Sequence, residues 1–182
     1  MNLSGLILKM AGWTVDITVP DYPKSIICVA PHTSNWDFIL GKLAYASVGR
    51  KAGFLMKESW FFWPLGPIFK SIGGVPVVRR NKTRSLVDFL VEKYKTSDRL
   101  SLAITPEGTR SLTTKWHTGF LEIARQANIP IDLGAIDYKT HKITITDTFT
   151  PTGDNEVDMK AIKQYYSKFT GKNPKNFSSE TN

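Results

Sequence analysis

Residues 25–47 read SIICVA–PHTSN–WDFILGKLAYAS. The first six, apolar after Ser25, have the length of a buried strand. Pro31 closes that run, a polar loop covers 31–35, and from Trp36 to Ser47 apolar residues return at helical spacing. The same alternation extends in both directions. Upstream, residues 3–11 (LSGLILKMA) suit a short apolar helix, and Pro20 and Pro23 break the chain before residue 25. Downstream, strands are predicted over 53–56, 75–78, 100–104, 131–136 and 143–145, with helices over 83–96, 120–127 and 155–169. Residues 171–182 are a polar tail expected to fray. Strands alternating with helices predict an α/β fold: a single domain over 1–170, with a mostly parallel mixed β-sheet flanked by helices.

The chain has 182 residues, 41% of them hydrophobic, a formal net charge of +8 and a pI of about 9.6. That excess calls for an anionic partner without choosing among nucleic acid, anionic lipid and a phosphorylated substrate. No RNA-binding motif accompanies it, which argues against nucleic acid. Cys28 is the sole cysteine, so no internal disulfide can form, and its apolar neighbours mark it as a small core residue rather than a nucleophile. His32, His117 and His141 are scattered, so no metal site is expected. No signal peptide is recognisable, and no run approaches the roughly 18–20 apolar residues of a spanning helix. The expected location is the cytosol or the cytoplasmic face of a membrane, bound peripherally. Residues 1–12 and the aromatic run Trp60-Phe61-Phe62-Trp63 are the candidate contacts, with Lys57 and Lys70 nearby. Packing of those aromatics into the core is the alternative reading.

Three polar clusters come after strands or at their ends, where open α/β sheets bind ligands. The first is His32 to Asp37. In one continuous helix five positions turn about 500°, leaving the two side chains about 140° apart. With His32 on a loop and Asp37 in the first helical turn they can meet. The carboxylate then fixes the imidazole tautomer and leaves the other nitrogen basic. Ser34 with Asp37 three positions on also fits a capping box, a purely structural reading. The second cluster is Gly73 to Arg80, whose Arg79 and Arg80 could grip a phosphate or simply be solvated. The third, TPEGTRS at 105–111, is a turn that offers backbone N–H groups, the hydroxyls of Thr109 and Ser111, and Arg110 to an anion. No serine or cysteine is set up as a nucleophile for His32. That favours direct transfer to a substrate hydroxyl over a covalent intermediate.

These residues resemble the glycerolipid acyltransferase family typified by 1-acyl-sn-glycerol-3-phosphate acyltransferase. His32 to Asp37 matches its H-x-x-x-x-D block. Gly73 to Arg79 matches the ends of G-x-x-F-I-x-R, with Pro76 and Val77 at the inner pair. Residues 105–111 match F-P-E-G-T-R-S except at Thr105. Ile129-Pro130-Ile131 matches a proline-containing apolar strand, with Leu133 where the family often has a second proline. The resemblance spans about residues 25–140 and implies a glycerol-3-phosphate acyltransferase-like fold. It implies His32 as general base and Asp37 as its orienting partner, with Arg79, Glu107, Gly108, Thr109 and Arg110 binding the acceptor. It also implies acyl-CoA or acyl-carrier protein as co-substrate, no further cofactor, and lysophosphatidic acid or a related lysolipid as acceptor. The same chemistry on another lysolipid, such as a lyso-ornithine lipid, and a non-catalytic lipid-binding protein are the alternatives.

Overall fold

The computed structural model describes residues 2–77 and 85–180. Among them, seven strands form one sheet. In chain order the elements are α1 (Leu3–Met10), β1 (Thr14–Ile17), β2 (Lys24–Val29), α2 (Trp36–Ser47), β3 (Gly53–Lys57), α3 (Leu65–Ser71), β4 (Gly74–Val77), α4 (Leu86–Thr96), β5 (Leu100–Ile104), α5 (Gly119–Ala127), β6 (Ile131–Asp137), β7 (Lys142–Phe149) and α6 (Asn155–Tyr166). The sheet order is β1-β7-β6-β2-β5-β3-β4. Every pairing is parallel except β6 with β7, a hairpin whose register shifts at Leu133/Gly134. The expected mostly parallel, mixed sheet is therefore present, with β2 at its centre.

Central strands of a parallel sheet are covered on both faces, so they read as continuous apolar runs. Alternate residues of β2 serve the two sides. Ile26 and Cys28 join Leu102, Leu133, Leu90, Tyr94, Leu121 and Ile162 under α4, α5 and α6. Ile27 packs with Tyr45, Ala52 and Ile145 on the α2 side. Tyr94 and Tyr166 are fully buried, and each donates its hydroxyl to a β2 carbonyl, at Ser25 (2.9 Å) and Cys28 (2.6 Å). Such bonds remove the cost of burying the phenols. Burial pushes the Cys28 thiol up to about 12, so it is inert as a nucleophile.

Helix ends obey local chemistry. Ser85 caps α4 by accepting from the Asp88 N–H at 3.0 Å, and returns a bond to the Asp88 carboxylate. Asp154 caps α6 through the N–H groups of Glu156 and Val157. Asn128, in the left-handed region with φ of 51°, ends α5.

β1 and α3 are not marked in the sequence. β1 is a four-residue edge strand whose pairing partner, β7, lies more than 120 residues away. α3 is only seven residues long, comes straight after an aromatic run, and carries Gly66 and Pro67 in its first turn, which obscure its apolar spacing. The largest departure is the tail, which does not fray over 171–180. The Phe177 and Trp116 ring centroids lie 6.0 Å apart. Lys163 Nζ donates to the carbonyls of Thr114 and Glu180, both at 2.7 Å. Apart from Phe177, which packs against the core, the tail is held by polar side chains and backbone, which carry no hydrophobic signature in sequence.

Candidate active site

The carboxyl ends of β2, β5 and β6 lie side by side, and the site is built from the loops that leave those ends. After β2, residues 31–35 form the expected loop and α2 begins at Trp36. Asp37 sits in the first turn of α2, 3% exposed. Its Oδ2 accepts the N–H groups of Thr33 and Ser34, both at 2.8 Å, and lies 3.3 Å from His32 Nδ1. The carboxylate that ties down the loop N–H groups in front of α2 is thus the one that faces the imidazole. The reciprocal half of the capping box is absent, because Ser34 Oγ accepts from Trp36 N–H (3.2 Å) instead. Asp37 Oδ1 accepts from the hydroxyl of Tyr138, just beyond β6, at 2.7 Å.

After β5, the chain turns through 105–111. Glu107 is 5% exposed, and its Oε1 accepts the His32 backbone N–H at 2.9 Å. Its Oε2 is buried without a hydrogen-bond partner among the described residues. Burial, offset only in part by the His32 N–H, pushes this carboxyl up to about 7. Gly108 has φ of 64°, and a Cβ there would lie 2.7 Å from His117 Nε2, so only glycine fits. His117 is held by its N–H to the Pro106 carbonyl at 2.8 Å.

A cavity of about 1150 Å³ opens beside His32. His32, Asp37, Gly108, Arg110 and His117 are among the residues that line it, together with apolar Phe38, Phe54, Ile104, Phe120 and Ile136. Ligand pockets commonly run about 300–1,000 Å³, so this one has room for a long apolar group. Of the residues expected from sequence, His32, Asp37, Gly108 and Arg110 meet at the cavity. Glu107 does not line it; its carboxylate turns inward, and Oε1 holds the His32 loop. Thr109 also lies off the cavity, its hydroxyl accepting from Ser111 N–H at 3.2 Å. Arg79 and Arg80 lie outside the described residues. Among the described residues no group of three or more His, Cys, Asp or Glu side chains could hold a metal.

Two contributions are not legible in the sequence. His117 is isolated there from the other histidines, yet in the fold it stands over Gly108. The tail ties the two loops together. Asn173 donates its backbone N–H to Thr33 Oγ1 (3.1 Å) and its amide to the Thr33 carbonyl (2.8 Å), while the Asn176 amide donates to the Arg110 carbonyl (3.1 Å). Gly171 packs so closely on Thr33 that a Cβ would lie 2.7 Å from its hydroxyl oxygen.

The family model described as Acyltransferase matches residues 17–132, more than half of the chain, and its span takes in the His32 loop and the 105–111 turn. The chain belongs to the acyltransferase family. The crystal structure of the 1-acyl-sn-glycerophosphate (LPA) acyltransferase PlsC from Thermotoga maritima is similar in fold, with a TM-score of 0.57 and 19% sequence identity over 92% of this chain and 78% of that one. No curated protein matches the sequence. Within this acyltransferase the family's H-x-x-x-x-D and P-E-G-T-R-S blocks are the two loops that the tail and the His32–Glu107 bond bring together.

Proposed function

We propose that this acyltransferase moves a fatty acyl group from a thioester donor, acyl-CoA or acyl-carrier protein, to a hydroxyl of lysophosphatidic acid or a related lysolipid at a membrane surface. The observation that carries the reading is the His32–Asp37 pair on the wall of a large, mostly apolar cavity that Arg110 also lines. The cavity walls suit an acyl chain, and the Arg110 guanidinium suits the acceptor's phosphate, which it can grip through two parallel hydrogen bonds. Arg79 is the second cation proposed for that phosphate. Glu107 supports the site by holding the His32 backbone.

In the proposed step the acceptor hydroxyl oxygen attacks the thioester carbonyl carbon. Its proton passes to His32 Nε2, the C–O bond forms, the C–S bond breaks with its electron pair going to sulfur, and the imidazolium returns the proton to the leaving thiolate. Asp37 stabilises the imidazolium, as a buried carboxylate does in triads. Thr33 Oγ1 accepts from Asn173 and Ser34 Oγ from Trp36, and neither hydroxyl donates to His32 among the described residues. That favours direct transfer, in which no acyl-protein should accumulate. An acceptor panel run with both donors and read by mass spectrometry is expected to give the ester plus free thiol, and donor alone no adduct on the intact protein. A stable adduct on any serine, or on Cys28, would overturn direct transfer. Turnover of a lyso-ornithine lipid in preference to lysophosphatidic acid would select the alternative acceptor.

Peripheral attachment to a membrane is part of the proposal. No helix among the described residues is long and apolar enough to cross one. Two apolar patches are exposed: Leu3, Leu6, Ile7 and Met10 on α1, and Trp60, Phe62, Trp63 and Ile68 around α3. The aromatic run is thus largely at the surface rather than in the core. Binding to anionic vesicles is expected, weakening as salt rises because each cation near the surface contributes only about 1 kcal/mol and is screened. α1 is also part of the fold, since Leu8 is 1% exposed and packs with Leu40, Ala44, Ile136 and Ile143. Met10→Glu and Trp63→Ala alter exposed positions only and should lower vesicle co-sedimentation with the circular dichroism spectrum unchanged. Equal sedimentation with neutral and anionic vesicles at every salt concentration would count against this attachment.

A further inference from the structure

Asp37 carries more partners than the H-x-x-x-x-D spacing suggests. Its Oδ2 faces the loop, taking Thr33 N–H, Ser34 N–H and the approach of His32 Nδ1. Its Oδ1 points the other way and accepts from Tyr138 at 2.7 Å. A carboxylate bonded on one oxygen alone can pivot about its side-chain torsion. One bonded on both oxygens from opposite sides cannot pivot without breaking a bond.

Tyr138 is itself held at several points. It comes directly after β6, and its backbone N–H donates to the Thr170 carbonyl at 2.9 Å. Its neighbour Asp137 ties down the same turn, accepting from the Lys139 and Thr170 N–H groups and from the Thr140 hydroxyl. The ring meets Trp13 edge-on with centroids 5.0 Å apart, and Trp13 in turn lies 5.1 Å from the His141 ring. Burial, and after it the Asp37 hydrogen bond and charge, push the Tyr138 phenol well above its usual range. The hydroxyl therefore stays protonated and acts as a donor.

β6 runs parallel to β2, with Gly134 beside Val29, and continues to Asp137 while β2 stops and the His32 loop begins. Tyr138 is thereby delivered to the same end of the sheet as His32, 101 positions after Asp37.

We propose that Tyr138 is a positioning residue for the acyl-transfer reaction: its hydroxyl locks the Asp37 carboxylate so that Oδ2 stays aimed at His32 Nδ1 and the Nε2 face of the imidazole stays basic. The role in turnover rests on the function proposed above; the geometric role does not. Tyr138→Phe keeps the ring and its packing on Trp13 and removes only the donor. The full-length variant is expected to lose roughly 10- to 100-fold in kcat, the span expected for one hydrogen bond to a charged group, with acceptor KM within about twofold of wild type. Nitrogen-15 NMR of the imidazoles reads the geometry without turnover. Wild-type His32 should be the Nδ1–H tautomer, and Tyr138→Phe should move population to Nε2–H, with an unchanged melting temperature.

Unchanged kcat, an unchanged His32 tautomer, or a loss of kcat and KM together with a lowered melting temperature would each overturn the proposal. If the wild type transferred no acyl group to any acceptor, the proposed function would fail, and the tautomer shift alone would still decide whether Tyr138 positions the pair.

Discussion

His32→Ala is expected to lower kcat by roughly 10²- to 10⁴-fold, the usual contribution of a general base, with acceptor KM little changed. The proton moves only in the transition state, so its acceptor contributes there and not to ground-state binding. The substitution should leave the fold intact. The His32 side chain is partly exposed, and its backbone N–H, the group that Glu107 holds, survives in alanine. Asp37 keeps Thr33, Ser34 and Tyr138 when the imidazole is gone. Arg110→Ala supplies the contrast, since a phosphate grip is made in ground and transition states alike. There acceptor KM should rise while kcat moves less, and Arg110→Lys should recover only part because the bidentate fork is lost. Steady-state kinetics on folded variants decides the matter: near-normal turnover by His32→Ala would remove His32 from the chemistry and favour a lipid-binding role.

The second large effect is expected at Asp37, where two replacements separate charge from shape. Asn can place its oxygen toward the Thr33 and Ser34 N–H groups and its amide toward Tyr138, whose hydroxyl can turn to accept. Loop and helix start are then preserved, while the charge that stabilises the imidazolium is lost. A fall in kcat of roughly 10²- to 10⁴-fold is expected, as for neutralising a triad carboxylate, with little change in melting temperature. Ala removes the acceptor altogether and leaves two loop N–H groups and the Tyr138 hydroxyl unpaired, at a cost of about 1–3 kcal/mol for each group that stays buried. Asp37→Ala should therefore lose stability as well as activity, measurable by denaturant titration beside the kinetics. If Asn and Ala were equally stable and Asn fully active, Asp37 would be a cap and nothing more.

The carboxylate in this pair also explains why one motif supports two readings. A residue three positions after a loop serine, at the first turn of a helix, is well placed to accept loop N–H groups and to profit from the helix dipole. The same placement turns Oδ2 toward the side chain two residues before that serine. The loop-holding position of Asp37 and its proposed role beside His32 are therefore compatible. Glu107 shows the opposite outcome. Its place in the P-E-G-T-R-S turn suggests a substrate contact, but the turn directs it inward, where one oxygen supports the His32 backbone and burial raises its pKa to about 7.

The central architecture is legible because it is local. The sequence predicts β5 with the bounds it has, α2 with both of its ends, and β2 to within a residue. Apolar runs of strand length closed by Pro31 or by Thr105-Pro106, and a helical repeat opening at Trp36, are properties of neighbouring residues. The His32–Asp37 pair is legible for the same reason, since the two residues are five positions apart. The supporting contacts are not. Glu107 reaches His32 across 75 positions, Tyr138 reaches Asp37 across 101, Asn176 reaches Arg110 across 66 and Asn173 reaches Thr33 across 140. Each is a polar bond between one side chain and one distant partner, with no periodicity to mark it. The sequence by itself determined the α/β order and the two motif loops. Which way Glu107 faces, what holds Asp37, and how the tail binds the loops were decided only when a parallel sheet placed the carboxyl ends of β2, β5 and β6 side by side, because hydrogen bonds of such short reach depend on where chain segments meet and not on how far apart they lie in sequence.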